Sequence, residues 1–243
     1  MCGCARLRLA PICWPNMLRP ERDAMRPPGL AGRRPRCTQV PRRAYGLALV
    51  AIWFGGLAAH LPVAAQTAPF LLSSPDLAMG TFDGRFVLRG FGCSGGNLSP
   101  ALEWRNPPPG TRSFALLMHD QDAPTGSGFW HWAVYNIPLS ATGLARGAGN
   151  TPAALPPPAV GGMTDFHDTG VTGGNGNYGG PCPPQSDRPH RYVFTLYALA
   201  VQDIHQAAGI PRTGTPALHA FALNKALGAL MLEKVSLVAT FGR

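Results

Sequence analysis

Five polar side chains of the sequence have the types and spacing to build one small site: Asp120, Asp122, His131, His190 and Tyr192. Two carboxylates, two imidazoles and a phenol are groups that acid–base catalysis, metal binding and anion binding all use. Asp120 and Asp122 are two residues apart, and so are His190 and Tyr192. Because side chains of a β-strand alternate between its faces, each pair points to one side if its segment is a strand.

Each of these groups also has a structural alternative. An Asp ahead of Ala-Pro, such as Asp122, often accepts hydrogen bonds from loop amides. His131 stands between two tryptophans, where a histidine is often a core residue with paired nitrogens. Tyr192 can be a core ring whose hydroxyl is bonded. The occurrence of all five together is what favours a site.

Short segments rich in β-branched and aromatic residues, separated by glycine and proline, predict the elements that carry these groups. The predicted strands span 84–91, 102–104, 113–120, 129–137, 191–199 and 234–241. One amphipathic helix is predicted over 216–232, because Thr215 and Pro216 form a good helix start. Strand alternation places Phe129, His131, Ala133 and Tyr135 on one face and Trp130, Trp132 and Val134 on the other. The fold class predicted is mostly β with few helices.

The charge of the chain is concentrated at its start. The formal net charge is +9, but residues 1–65 hold 10 Arg and 2 acids, which leaves +1 for residues 66–243. We therefore expect no nucleic-acid partner. The apolar stretch 45–65 ends in small residues, which predicts a basic leader and signal peptide cleaved after Ala65, an exported, periplasmic protein and a single mature domain at 66–243 without a stable membrane span. The alternative is a retained N-terminal membrane anchor, since the stretch approaches the roughly 20 residues that span a bilayer.

Two cysteines, Cys93 and Cys182, lie beyond the leader. An oxidising compartment permits a disulfide between them, and two free thiols are the alternative.

Two stretches carry a family resemblance: "DQDAPTGSGFWHWAVYNIP" at 120–138 and "GNYGGPCPPQSDRPHRYVFTLYAL" at 176–199. They closely resemble the phosphatidylethanolamine-binding protein family, particularly its bacterial branch, and the similarity extends from about residue 73 to residue 243. The resemblance implies an antiparallel β-sandwich-like fold with peripheral and C-terminal helices. It also implies a pocket for phosphate or a phosphorylated head group, whose residues match Asp120, Asp122, Pro124, His131, Gly180, His190 and Tyr192.

The sequence departs from the family pattern at two places. Gln121 replaces the proline of the usual Asp-Pro-Asp, which frees the backbone between the two carboxylates. The polar insertion "QSDR" at 185–188 stands where relatives are short, so we expect an altered pocket rim.

The residues and the resemblance together predict an exported protein that binds a small anionic or phosphorylated ligand such as phosphate or phosphoethanolamine. The glycines and prolines at 179–184 are expected to aim backbone N–H groups at the anion. One Asp is expected to orient an imidazole and the other to face an ammonium group. We predict no catalytic residue, no metal and no cofactor, and the family resemblance adds a partner protein such as a kinase that the chain would modulate.

Two other functions stay open. An envelope hydrolase could use the same Asp, His and Tyr groups, with or without a metal, although no His-Glu-x-x-His or Walker sequence is present. An apolar ligand is the third alternative, drawn from Trp130 and Trp132, which core packing explains more simply.

Overall fold

The computed structural model describes residues 68–167 and 178–243, so the predicted leader at 1–65 lies outside the described residues. Ten strands are described: β1 Leu71–Ser73, β2 Arg89–Gly90, β3 Cys93–Ser94, β4 Leu102–Arg105, β5 Ser113–Asp120, β6 Phe129–Pro138, β7 Gly143–Leu144, β8 Val160–Gly161, β9 His190–Leu199 and β10 Met231–Phe241. Two short helices, α1 Ile204–Ala208 and α2 Pro216–Phe221, lie between β9 and β10. Neither helix is long and apolar enough to cross a bilayer.

The strands form two main sheets in which every paired strand runs antiparallel to its neighbour. The larger sheet has the order β10-β9-β5-β6-β8, and the smaller has the order β1-β4-β7. Strands β2 and β3 form a separate two-stranded ribbon. Strand β5 is therefore in the middle of the larger sheet, with β6 on one side and β9 on the other.

The larger sheet buries both of its faces, because its central strands are apolar at nearly every position. One face packs on the smaller sheet, where Leu116 and Phe194 belong to the same buried cluster as Trp104 of β4. The other face packs on the helical layer, where Leu117 and Tyr197 share a cluster with residues such as Leu223. This arrangement confirms the predicted mostly β, sandwich-like fold with peripheral helices.

The strand predictions at 113–120, 129–137 and 191–199 are confirmed to within a residue or so. The prediction at 84–91 is wrong, because only Arg89–Gly90 pairs as a strand. A turn forms ahead of it instead, since the Asp83 carboxylate accepts a hydrogen bond from the Arg85 amide at 2.9 Å. The backbone amides of Asn97 and Leu98 donate hydrogen bonds to the carbonyls of residues 87 and 85, respectively.

The helix predicted at 216–232 starts where expected and ends early. The Thr215 hydroxyl accepts a hydrogen bond from the Leu218 amide, and Pro216 occupies the first turn. The regular α-helix ends at Phe221. The chain continues as a π-helical turn at Ala222–Ala226 and a 3-10 turn at Gly228–Leu230. The chain extends from Met231 because that residue pairs with Leu199 of β9.

Candidate functional site

Asp120, His190 and Tyr192 meet where β5 ends and β9 begins. The antiparallel register places Asp120 directly opposite Tyr192. His190, two residues earlier on β9, faces the same side, and its Nδ1–H donates to Asp120 Oδ2 at 2.7 Å. The other carboxylate oxygen of Asp120 accepts from the Asp122 backbone amide at 2.9 Å. The side chains of Asp120 and His190 are almost fully buried, so the Asp120 carboxylate holds the His190 imidazole in one orientation.

A β-bulge brings His131 to the same place. Met118 of β5 pairs with Trp132 and His119 pairs with Trp130, so His131 is the extra residue between them. A bulge of this kind reorients side chains and is common beside functional sites. The simple alternation predicted for this strand therefore breaks at residue 131. Ala133 and Tyr135 face the helical layer, whereas the His131 ring lies 5.1 Å from the Tyr192 ring.

The surroundings of His131 keep its imidazole neutral at neutral pH. Its Nδ1–H donates to the Gly179 carbonyl at 2.8 Å, and the edges of Phe129 and Phe166 pack around the ring. Burial lowers the pKa of His131 to about 4, although the Gly179 carbonyl and the Asp120 charge act in the opposite direction. Since Nδ1 is already bonded, Nε2 is the ring nitrogen left for a ligand.

The Tyr192 hydroxyl is buried and makes no hydrogen bond with any described residue. Burial raises its pKa strongly, and the nearby Asp120 carboxylate raises it further through its charge and through an interaction with the hydroxyl that falls outside hydrogen-bond geometry. The hydroxyl therefore keeps its proton and can donate it. A buried donor without a partner is rare in folded proteins and calls for an explanation, such as a ligand.

The glycines of the loop at 179–184 are there for close packing. A Cβ on Gly179 would lie 2.2 Å from the Phe166 ring, and one on Gly180 would lie 2.1 Å from the Phe86 carbonyl oxygen. Their amides are already used, because Gly179 donates to the His131 carbonyl and Gly180 to the Asn97 side chain. The expected cradle of backbone N–H groups is therefore not formed by these two glycines.

A disulfide and the last side chain of the chain fix the loops around the site. Cys93 and Cys182 are joined, with 6.1 Å between their Cα atoms. The guanidinium of Arg243 donates to the carbonyls of Pro183 and Gly92. The ribbon β2–β3 and the proline loop are thus tied together from two sides.

These loops and strand ends enclose a cavity of about 140 Å³. Its lining comprises Leu88, Phe91, Asp120, Ala123, Pro124, Thr125, Phe129, His131, Phe166, Cys182, Pro183, Pro184, His190 and Tyr192. Pockets that bury drug-sized ligands are larger, at roughly 300–1,000 Å³. The volume is suited to a phosphate, a carboxylate or a compact head group.

Of the seven pocket residues carried over from the resemblance, the cavity lining includes Asp120, Pro124, His131, His190 and Tyr192. Gly180 and Asp122 are not part of the lining. Sequence reasoning missed the aromatic wall of Phe91, Phe129 and Phe166. Phe129 had a usable signal, because it shares a predicted strand face with His131. Phe91 and Phe166 come from loops in which no periodicity indicates a direction.

Asp122 forms an ion-pair network at the edge of the site. Its carboxylate accepts from Arg191 at 2.9 and 3.0 Å and from Arg188 at 2.9 Å. The hydrogen bonds from Arg191 lower the pKa of Asp122 far below its usual range. Both oxygens are occupied, so this carboxylate is not free to face an ammonium group.

The two departures from the family pattern both reach this network. Gln121 has a backbone N–H, which the proline of the family pattern lacks, and this N–H donates to the Arg191 carbonyl at 3.3 Å. From the insertion at 185–188, Arg188 contacts Asp122, and the Asp187 carboxylate lies 3.2 Å from His190 Nε2. His190 is therefore held between two carboxylates. Within residues 68–167 and 178–243, no group of three or more His, Cys, Asp or Glu side chains is placed to hold a metal ion.

Fold and site together define an antiparallel β-sandwich protein with a small ligand cavity at the end of its larger sheet. A sequence profile of the phosphatidylethanolamine-binding protein family matches residues 79–242. The chain therefore belongs to that family, as its motifs predict.

Individual relatives show how far the similarity extends. The UPF0098 protein YbcL of Escherichia coli is 44% identical over 148 residues, covering 60% of this chain and 77% of YbcL. The crystal structure of E. coli YbcL superimposes with a TM-score of 0.61 at 36% identity, covering 72% of this chain and 99% of that one. The putative lipoprotein LppC of Mycobacterium tuberculosis is 37% identical over 138 residues, covering 57% of this chain and 59% of LppC.

Proposed function

We propose that the cavity binds a small ligand through a phosphate or a similar oxyanion. The observation that carries this proposal is the Tyr192 hydroxyl, a buried donor that has no partner among the described residues and lines the cavity. An oxyanion would accept its hydrogen bond. The size of the cavity favours a head group or free anion over a whole lipid.

Proton uptake would make the site compatible with a negative ligand. Asp120 is a carboxylate in the wall, and His131 is neutral when the cavity is empty, so a dianion would meet net repulsion. Binding becomes favourable if His131 takes up a proton and donates from Nε2, or if a phosphate enters with one P–OH group that donates to Nε2. Both routes couple binding to one proton, and affinity rises as pH falls.

Isothermal titration of the purified protein with phosphate and with phosphoethanolamine, at pH 7.5 and pH 5.5, tests the proposal. The expected result is tighter binding at pH 5.5, with a gain of up to about tenfold per pH unit down to the second pKa of the ligand, about 6 for a phosphomonoester, below which the free ligand already carries the proton. Equal affinity for the two ligands would remove a role for the amine, in keeping with the full occupation of Asp122. An affinity that falls on acidification would overturn the proposed proton uptake.

Hydrolysis is a second candidate, favoured by the buried Asp120–His190 pair, whose 2.7 Å hydrogen bond orients the imidazole as it would a general base. In this role Nε2 of His190 would have to exchange its 3.2 Å contact with Asp187 for one with the substrate or a water. Cys182 is not available as a nucleophile because its sulfur is in the disulfide. Release of inorganic phosphate from a phosphomonoester, abolished by His190→Gln, would establish the hydrolase. Binding without turnover would exclude it for that substrate.

The proposal includes export to the periplasm. It is supported by the leader-like sequence of residues 45–65, by a disulfide that suits an oxidising compartment, and by similarity to a protein named as a lipoprotein. Modulation of a partner such as a kinase rests on the family resemblance alone. Fractionation of cells that express the full chain, with N-terminal sequencing of the product, tests cleavage after Ala65 against a retained anchor.

A further inference from the structure

Three titratable rings form a second buried cluster on the opposite face of the larger sheet. Tyr135 of β6 stacks on His219 of α2 with 4.2 Å between ring centroids. His205 of α1 lies edge-on to both, 5.5 Å from Tyr135 and 5.3 Å from His219. Tyr135 and His219 have no exposed surface, and His205 has 7%. The cluster joins both helices to the sheet.

The polar atoms of this cluster are largely without hydrogen-bond partners. His219 Nδ1–H donates to the Thr215 carbonyl at 3.0 Å, but its Nε2 has no partner among the described residues. The same holds for the Tyr135 hydroxyl and for both ring nitrogens of His205. A neutral imidazole tolerates this, because an unpaired lone pair costs less than an unpaired charge in an apolar setting. A proton on His219 Nε2 would have no acceptor.

The charged and titratable groups around the cluster are few. Asp203, the N-cap of α1, has Oδ1 3.3 Å from His205 Nδ1 without hydrogen-bond alignment, and Arg212 lies 3.5 Å from the same carboxylate. Tyr197 of β9 belongs to the same buried cluster as Tyr135 and adds to the rise in the pKa of Tyr135 that burial causes. Burial lowers the pKa of His205, and the neighbouring His219 lowers it further against the opposing charge of Asp203. Burial likewise lowers the pKa of His219, against the carbonyls of Thr215 and Gly214.

We propose that this cluster is an acid-sensitive latch, in which protonation of His219 and His205 releases the helical segment 204–221 from the larger sheet while the sheet itself stays folded. Two positive charges 5.3 Å apart would repel each other, and a proton on His219 Nε2 would lack an acceptor among the described residues. The segment is poised to detach because α1 has five residues and α2 has six, too few to be stable as isolated helices. The latch does not depend on the cavity or its ligand.

Hydrogen exchange of the purified protein, followed by mass spectrometry at pH 7.5 and pH 5.5 and corrected for intrinsic exchange rates, tests the latch. A histidine with the ordinary pKa near 6.5 in the open state favours opening by about tenfold at pH 5.5. Protection of segment 204–221 is therefore expected to fall by about tenfold for one histidine and up to about a hundredfold for two. Amides of β5 and β9 should keep their protection.

The double variant His205→Phe/His219→Phe keeps the aromatic packing and removes the titration, so its helical segment should lose the pH response. The matched control is His119→Phe, a half-buried histidine of β5 that stacks on Trp130 and contacts none of the three rings in an aromatic pair; it should leave the response unchanged. Equal protection at the two pH values, or a response that persists in the double variant, would overturn the latch.

If the double variant does not fold, NMR titration of the ring protons of His205 and His219 in the unmodified protein decides the question. Midpoints below 6.5 for His219 and His205 support the latch. Midpoints at or above 6.5 contradict it, because the closed state would then accept the protons as readily as the open one.

Discussion

At the scale of single residues, the site is defined by groups whose bonding the fold leaves incomplete. Asp120 and His190 satisfy each other, and Asp122 is satisfied by two arginines. The Tyr192 hydroxyl has no such partner among the described residues, and Nε2 is the ring nitrogen of His131 that does not bond the Gly179 carbonyl. These two groups are therefore where we expect a ligand to make its hydrogen bonds.

Replacing Tyr192 with Phe separates binding from stability. The hydroxyl makes no hydrogen bond in the described structure, so Tyr192→Phe should leave the free energy of unfolding within about 0.5 kcal/mol of the parent. Phosphate affinity should fall about tenfold, which corresponds to a lost hydrogen bond of about 1.4 kcal/mol to a charged group. Urea unfolding and isothermal titration measure the two effects.

The matched control is Tyr197→Phe, on the same strand and the opposite face, whose hydroxyl accepts from Asn224 at 3.1 Å. This variant should lose some stability and keep phosphate affinity. A Tyr192→Phe protein that binds phosphate as tightly as the parent would contradict the role given to the hydroxyl.

Gly180 is expected to matter for packing. Alanine at this position would place a methyl group 2.1 Å from the Phe86 carbonyl oxygen, so Gly180→Ala should lower the free energy of unfolding by about 1–3 kcal/mol. Gly84→Ala is the control, because a methyl group there meets no atom within 4 Å, and it should change stability by less than about 0.5 kcal/mol. Equal stability of the two variants in urea would contradict this prediction, because it would show that the loop shifts to accommodate the methyl group at Gly180.

At the scale of elements, the strands were predictable and the bulge was not. The apolar runs at 113–120, 129–137 and 191–199 indicate buried strands, and the structure has them. The bulge at His131 depends on how β6 aligns with β5, which alternation within a single strand does not encode. The bulge places His131 beside Tyr192 and turns Tyr135 toward the helices.

The loops that wall the cavity depend on contacts distant in sequence. The ribbon β2–β3 and the proline loop are about 90 residues apart, and the disulfide and Arg243 join them. The sequence permitted the disulfide without requiring it. Segment 84–91 was likewise not predictable from composition. Its composition favours a strand, but the Asp83 side chain accepts a hydrogen bond from the Arg85 amide and a turn forms there instead.

Removing the disulfide should both destabilise the protein and loosen the cavity. A disulfide typically contributes about 2–4 kcal/mol, so Cys93→Ala/Cys182→Ala should lower the free energy of unfolding by about that amount. Phosphate affinity should also fall, because Cys182 lines the cavity and its loop becomes less constrained.

A reducing agent supplies the control for the disulfide. Dithiothreitol should lower the stability of the parent and leave the double variant unchanged. A parent protein with the same urea midpoint with and without the reducing agent, after complete reduction is verified by thiol titration, would contradict the stabilising role.

At the scale of the whole molecule, buried histidines set the response to acid. Burial lowers the pKa of His119, His131, His205 and His219, so below pH 6.5 the unfolded chain binds more protons than the folded one. Stability is then fully present above about pH 6.5 and declines as the pH falls. The lowered pKa of Asp122 affects stability only at pH values near and below the ordinary value of 3.8, where the unfolded chain takes up a proton that the folded one does not.

The free energy of unfolding should accordingly decrease between pH 7.5 and pH 5.0. His131 alone, with a folded pKa of about 4, accounts for about 2 kcal/mol over that interval, since each pKa unit corresponds to about 1.4 kcal/mol. Urea unfolding in phosphate-free buffers measures the change. Constant or rising stability on acidification would show that these histidines are charged in the folded protein.

The central claim is that the cavity at the ends of β5, β6 and β9 receives an oxyanion. A crystal structure of the protein grown with phosphoethanolamine at pH 5.5 tests it most directly. We expect phosphate density within hydrogen-bonding distance of the Tyr192 hydroxyl and His131 Nε2. A cavity that stays without phosphate at saturating ligand, or phosphate bound elsewhere on the molecule, would contradict it.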